Sequence, residues 1–412
     1  MLPILIAFCL VHSLVQSEAF ILPGDDSLQV EEEDAKLSTV ELVTKYGYHI
    51  ETHHVQTDDG FVLELHRITG SGSTKFDKRL PPVLVMHGVF ASSADWVLLG
   101  PGNALAYLLS DAGYDVWLAN ARGNRYSRNH TNYTPNMNKF WDFSWYEIGI
   151  YDLPKIVDYT LNVTDKEKLH YIGHSQGTTV FLVMCSERPE YNEKIVLAQE
   201  LAPVAYLEHM NSPLLKVLVK HLDAISTIAH LFSWKEFKPI PAVVLEVAKY
   251  LCPESKVNNL CVNVLFQLTG ANPDQVEPKM IPILLGHIPA GSSTKQLVHF
   301  GQEVRSAMFR QYDYGKLKNV FVYNQPEPPA YNLSRVIAPV ILHYGPNDYL
   351  THEKDVLRLA AELPNLVEVH RVGMDLFNHM DFLIAKDVKE LLYGKVIANL
   401  EKFNDKIIVG FN

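Results

Sequence analysis

The chain has 412 residues, 47% hydrophobic and 20% charged, with a formal net charge of −11. That length and composition exclude a disordered or fibrous protein and leave room for a sizeable core. The acidic surplus argues against a nucleic-acid partner, whose phosphates need a basic face.

Met1 to Val11 is an apolar run, followed by Ser17-Glu18-Ala19, and residues 1–19 read as a secretory signal peptide. The run is too short for the roughly 30 Å of a bilayer core, and no later stretch approaches the ~18 apolar residues of a spanning helix. Residues 20–40 are acidic and polar and read as an extended arm. Tyr48 to Val55 and Phe61 to Ile68 alternate around Asp59-Gly60, which predicts a hairpin with His53 and His54 on its surface.

Pro82-Val83-Leu84-Val85-Met86 is a continuous apolar run, as in a strand buried on both faces, and ends at His87-Gly88-Val89. A helical stretch from Ala104 to Ala112 follows, then a second strand over 115–119 ending in Asn120-Ala121-Arg122-Gly123-Asn124. Another helix starts near Asp152-Leu153-Pro154, with the proline in its first turn. Leu169-His170-Tyr171-Ile172 then runs into Gly173-His174-Ser175-Gln176-Gly177 and an apolar helical stretch. This G-x-S-x-G spacing on a strand–turn–helix is a nucleophile elbow, which lifts a serine clear of a sheet and frees the next backbone N–H for an oxyanion.

The strand–helix rhythm predicts an α/β fold with a mostly parallel sheet. It breaks after about residue 206. From 207 to 330 the chain reads as amphipathic helices, including 214–232, interrupted by prolines, and is expected to form a mainly helical cap or lid over an apolar substrate. The core is thus expected in two parts, 20–206 and 331–412. The rhythm returns at 338–344, which ends at Gly345-Pro346-Asn347-Asp348. A last strand over 367–372 leads to Phe377-Asn378-His379, and a closing helix is expected over 386–400.

The chain order Ser175, Asp348, His379 is that of an α/β-hydrolase triad, with the acid after a late strand and the histidine after the last one. Ser175 would attack an ester carbonyl, His379 would carry its proton, and Asp348 would orient His379. Asp355, Asp375 and Asp381 are competing acids. His87 is expected to brace its loop, and His174 faces the wrong side of the turn for general-base work. The oxyanion donors are assigned to the amides of Val89 and Gln176.

Of four cysteines, Cys9 leaves with the signal, Cys185 reads as a buried free thiol, and Cys252 and Cys261 would close a small loop in an oxidising compartment. No Cys or His pair has ligand spacing, so no metal site is expected. Sequons at Asn129, Asn132, Asn162 and Asn332 agree with export.

The stretches Tyr46-Gly47-Tyr48, His87-Gly88-Val89, Asn120 to Asn124, Phe140-Trp141-Asp142-Phe143-Ser144-Trp145 and Tyr151-Asp152-Leu153-Pro154 together resemble the acid lipase family of gastric, lysosomal and insect gut enzymes. So do Gly173-His174-Ser175-Gln176-Gly177-Thr178-Thr179, Gly345 to Asp348 and Asn378-His379-Met380-Asp381-Phe382. The resemblance implies the α/β-hydrolase fold with Ser175, Asp348 and His379 as triad. It further implies an oxyanion hole from Val89 and Gln176, and a Cys252–Cys261 disulfide near a lid. It implies hydrolysis of triacylglycerols or cholesteryl esters, without a cofactor, outside the cell or in lysosomes; the dense apolar surface of the cap separately predicts that it moves at a lipid–water interface. The alternatives are an inactive lipid-carrying or yolk-type protein on the same fold, and a hydrolase of small soluble esters or peptides.

Overall fold

A computed structural model describes residues 33–72, 74–231, 234–237 and 260–409 of the chain. The expected signal peptide, most of the expected arm, Cys252 and the Cys261 side chain lie outside the described residues. Twelve strands occur among those residues: β1 (Tyr48–Gln56), β2 (Phe61–Ser71), β3 (Thr74–Lys75), β4 (Val83–Met86), β5 (Val116–Leu118) and β6 (Asn129–His130). They continue with β7 (Leu169–His174), β8 (Ile195–Leu201), β9 (Glu236–Phe237), β10 (Ser292–Ser293), β11 (Val340–Tyr344) and β12 (Leu366–Arg371).

Ten of them form one sheet in the order β1-β2-β5-β4-β7-β8-β11-β12, with β3 and β6 paired to β2. The expected hairpin is present, and β2 also pairs antiparallel with β5. From β5 to β12 every pairing is parallel. The apolar runs read from the sequence are the central strands, and their period of two splits each run between two cores. Val83 and Val85 face one core with helices Leu105–Asp111 and Gly394–Val409; Leu84 and Met86 face the other with helices Leu153–Thr164, Gln176–Glu187 and Glu353–Glu362. Two helical layers therefore cover a sheet buried on both sides.

The structure departs from the sequence reading at four places. The last two residues of the expected arm, Thr39 and Val40, open a helix over Thr39–Lys45, because Ser38 and Glu41 close a capping box and Leu42 and Val43 are buried. β8 was not anticipated, since Gln199 and Glu200 interrupt its apolar pattern although both are buried. Over its described residues the expected helical stretch 214–232 forms two helices, Pro213–Lys220 and Leu222–Leu231, that meet at His221. The closing helix starts only at Gly394, after a π-turn over Lys389–Tyr393.

Between β8 and β11 the described residues form helices Pro213–Lys220, Leu222–Leu231, Leu260–Thr269, Met280–His287, Thr294–Ser306 and Lys316–Tyr323, and a ribbon of β9 against β10. β8 and β11 are themselves hydrogen-bonded neighbours, so the sheet closes beneath this insertion. No helix among the described residues is long and apolar enough to cross a membrane. Asn129, Asn132, Asn162 and Asn332 are all exposed, as glycan acceptors must be.

Candidate active site

Ser175 stands between β7 and helix Gln176–Glu187 with φ 53° and ψ −118°, a backbone conformation that L-residues rarely hold. Its N–H donates to the Leu201 carbonyl at 3.0 Å, and its carbonyl accepts from the Thr178 amide and hydroxyl at 2.9 and 2.6 Å. The flanking glycines are sterically required. A Cβ on Gly173 would lie 2.8 Å from the Gly177 carbonyl carbon, and one on Gly177 would lie 2.3 Å from the Met86 oxygen. Strand, turn and helix can pass this closely only without side chains there.

Asp348 and His379 arrive from the loops after β11 and β12. His379 Nδ1 lies 2.8 Å from Asp348 Oδ2, with 5% and 0% of the two side chains exposed. Asp348 also accepts from the Leu350 and Thr351 amides at 2.8 and 2.9 Å and from the Thr351 hydroxyl at 2.6 Å. These donors hold the carboxylate in the orientation that meets the ring. The competing acids are engaged elsewhere. Asp355 pairs with His209, and Asp375 pairs with Arg371. Asp381 accepts from Asn272 Nδ2 and the Asn378 amide, and burial pushes its pKa up to about 7.

His174 joins the elbow to the His379 loop. Its Nε2 donates to the His379 carbonyl at 3.1 Å, and the two rings lie 4.9 Å apart. Burial, reinforced by His379, drives its pKa well below the ordinary histidine value, so it stays neutral. His87 does brace its loop. Its Nδ1 donates to the Gly88 carbonyl at 2.7 Å, while Nε2 accepts from the Ala121 amide at 3.1 Å and from Asn124 Nδ2 at 3.2 Å. That network assigns the tautomer. Burial lowers the His87 pKa to about 4, which keeps Nε2 an acceptor.

The His87-Gly88-Val89 loop lies against the elbow, since a Cβ on Gly88 would sit 3.2 Å from Ser175 Cβ and 3.3 Å from His174 Nδ1. Gln176 begins a helix, and a first-turn amide has no partner within its own helix, while the helix dipole favours negative charge there. Phe90, next after Val89, has φ 65°; its carbonyl accepts from the Ala290 amide and its ring meets Phe237 of β9 at 4.7 Å. The β9–β10 ribbon thereby rests on the loop beside Ser175, which is only 7% exposed.

Three supports escaped the sequence reading. Thr351 had a local signal, the Asp-x-x-Thr spacing of a side-chain-capped turn. Thr269 had none: its carbonyl, at the end of helix Leu260–Thr269, accepts from the Tyr349 amide at 3.3 Å and the His379 amide at 3.4 Å. Arg122 is buried between Asp152 and Asp59, donating to both carboxylates at 2.6 to 2.9 Å, with its guanidinium 4.2 Å from the Phe61 ring. Cys185 is a buried thiol whose pKa is raised well above the ordinary value by burial.

Among the described residues, Glu208, His209 and Asp355 are the group that could hold a metal ion, with ligand atoms within 4.8 Å of one another. Those atoms already have partners: His209 Nδ1 lies 2.8 Å from Asp355, and Glu208 lies 3.3 Å from Arg358.

A family model described as a partial α/β-hydrolase lipase region matches residues 39–100, and one described as the α/β-hydrolase fold matches residues 81–225. The chain is 45% identical to Lipase 1 of Drosophila melanogaster over 90% of this chain and 81% of that protein. It is 33% identical to the gastric triacylglycerol lipase of Bos taurus over 96% of this chain and 98% of that protein. It is 34% identical to the lysosomal acid lipase/cholesteryl ester hydrolase of Rattus norvegicus over 90% and 92% of the two. With that likeness running through nearly the whole length, on a parallel sheet that carries a serine elbow, the chain belongs to the acid lipase family of α/β-hydrolases and is a carboxylic ester hydrolase.

Proposed function

We propose that the enzyme hydrolyses the esters of neutral lipids, triacylglycerols first and cholesteryl esters second, through an acyl-enzyme on Ser175. The observation that carries this reading is the buried 2.8 Å contact between His379 and Asp348, on a loop that His174 holds beside the elbow. With Nδ1–H donated to Asp348, the His379 Nε2 carries the lone pair that a serine proton needs. Ser175 Oγ adds to the ester carbonyl as its proton passes to Nε2. The Val89 and Gln176 amides stabilise the oxyanion. Collapse expels the alcohol, which takes the proton from Nε2. Water then repeats the sequence on the acyl-enzyme and releases the fatty acid, restoring Ser175.

The substrate class follows the names of the two mammalian relatives, a triacylglycerol lipase and a cholesteryl ester hydrolase. The same names, with four exposed sequons, support action outside the cell or in lysosomes. In this reading residues 207–330 form the cap. Phe237 against Phe90 closes it over a serine too buried to meet a lipid, so the β9–β10 ribbon lifts at an interface.

Ser175→Ala decides the reading. The variant is expected to lose hydrolysis of both an emulsified long-chain triacylglycerol and a dissolved short ester by at least about a thousandfold, the order set by losing an activated nucleophile. Hydrolysis at the wild-type rate would refute the assignment. A wild type with no preference for the emulsion would refute the cap opening alone.

A further inference from the structure

Helix Lys316–Tyr323 is built inside out. At about 100° per residue, Leu317, Val320 and Phe321 form one stripe and Asn319 and Tyr323 lie on the opposite side. The polar side faces the protein. Asn319 is 1% exposed; its side chain accepts from the Tyr314 amide and donates to Asp313 Oδ1 and the Pro326 carbonyl, all within 2.9 Å. Tyr323 donates its hydroxyl to the Tyr312 carbonyl at 2.8 Å. The apolar side faces outward, with Phe321 87%, Leu317 84% and Val320 47% exposed. Lys316 and Lys318 fall about 100° to either side of Leu317 and so flank the stripe. Both are exposed, and neither is within ion-pair distance of a carboxylate among the described residues; the Lys318 ammonium lies 4.6 Å from the Tyr314 ring centroid, a contact that keeps its charge.

We propose that this face docks the enzyme on a lipid surface that carries fatty-acid carboxylates. The inference rests on the lipase reading above, because ester hydrolysis releases those carboxylates at the surface where it occurs. Two side chains of this size, held outward by a polar anchor, gain by leaving water. The lysine pair supplies the charge complement. Elsewhere a chain of net charge −11 is repelled by an anionic surface, so the pair also sets which way the enzyme faces. A second copy of the chain fits poorly, since a two-fold contact through this face would set the same lysines against each other. As product accumulates, the surface becomes more negative and binding tightens.

The test uses full-length protein and sedimentation with phosphatidylcholine vesicles, with and without oleate. The wild type is expected to bind oleate-containing vesicles more tightly. Leu317→Asp with Phe321→Asp should weaken binding to both vesicle types about tenfold or more. Lys316→Glu with Lys318→Glu should remove the response to oleate and leave the weaker binding to neutral vesicles. Neither pair touches the catalytic machinery, so the rate on a dissolved short ester should be unchanged in both. Wild-type vesicle binding by the Asp variant would overturn the proposal, as would a wild type indifferent to oleate. So would a variant whose only change is dissociation of an oligomer. Ser175→Ala should bind vesicles like the wild type, which separates failure of docking from failure of the catalytic assignment.

Discussion

At the residue scale, the elbow stores strain. The conformation of Ser175 costs about 1–3 kcal/mol and persists because the surrounding bonds fix it. Its glycine spacing made it legible in the sequence, as chain order did for Asp348 and His379. The role of His174 was not legible, because it depends on a carbonyl 205 residues later in the chain. Neutral His174 positions the loop of His379 by donating to that carbonyl. His174→Phe is expected to lower kcat on a dissolved ester by about tenfold with little change in KM, the size of one lost positioning hydrogen bond. His174→Gln, whose amide can still donate, should recover part of the rate. Equal rates for the Phe variant and the wild type would show that His379 needs no such support.

At the element scale, Arg122 ties together the β1–β2 turn through Asp59, the loop after β5, and the start of helix Leu153–Thr164 through Asp152. A charge this deep is tolerated only because both carboxylates meet it. Removing it as Arg122→Met leaves Asp152 buried and unpaired, and urea unfolding should register a loss of about 3–5 kcal/mol. Asp59→Asn should cost less, since 28% of the Asp59 side chain is exposed and water can replace its partner. Elements with strong apolar runs, such as β4, β7 and β11, were legible. β8 was hidden by Gln199, which is bonded to the Val396 carbonyl and to His343, and by Glu200, whose buried carboxyl has no hydrogen-bond partner. Burial raises the Glu200 pKa well above the ordinary value, so it sits in the sheet as a neutral acid. Nothing in local sequence distinguishes such a residue from one on a surface turn.

At the scale of the whole molecule, buried acids give stability a dependence on pH. Asp95 is buried, and that burial outweighs the backbone amides of Ser92 and Asp95 that favour its charged form and raises its pKa to about 7. A folded pKa above the unfolded value means that the folded state holds the extra proton. The resulting stability is present below about pH 4 and is lost as pH rises to 7. Three pKa units correspond to about 4 kcal/mol. Between pH 4 and pH 8 the wild type should therefore lose about 4 kcal/mol relative to Asp95→Asn in urea unfolding; parallel curves would show that Asp95 titrates normally. The single carbonyl of Thr269 bears on a different matter, how the gene product can be divided. It lies within the insertion, yet it holds both the acid loop and the histidine loop. Next to it, a Cβ on Gly270 would lie 2.1 Å from the Asn347 oxygen. Chimeras between relatives that exchange the insertion whole would import a foreign seat for Asp348 and His379. Exchanges that stop short of Thr269 keep donor and acceptor from one parent, and recombination is best confined to the helices before it.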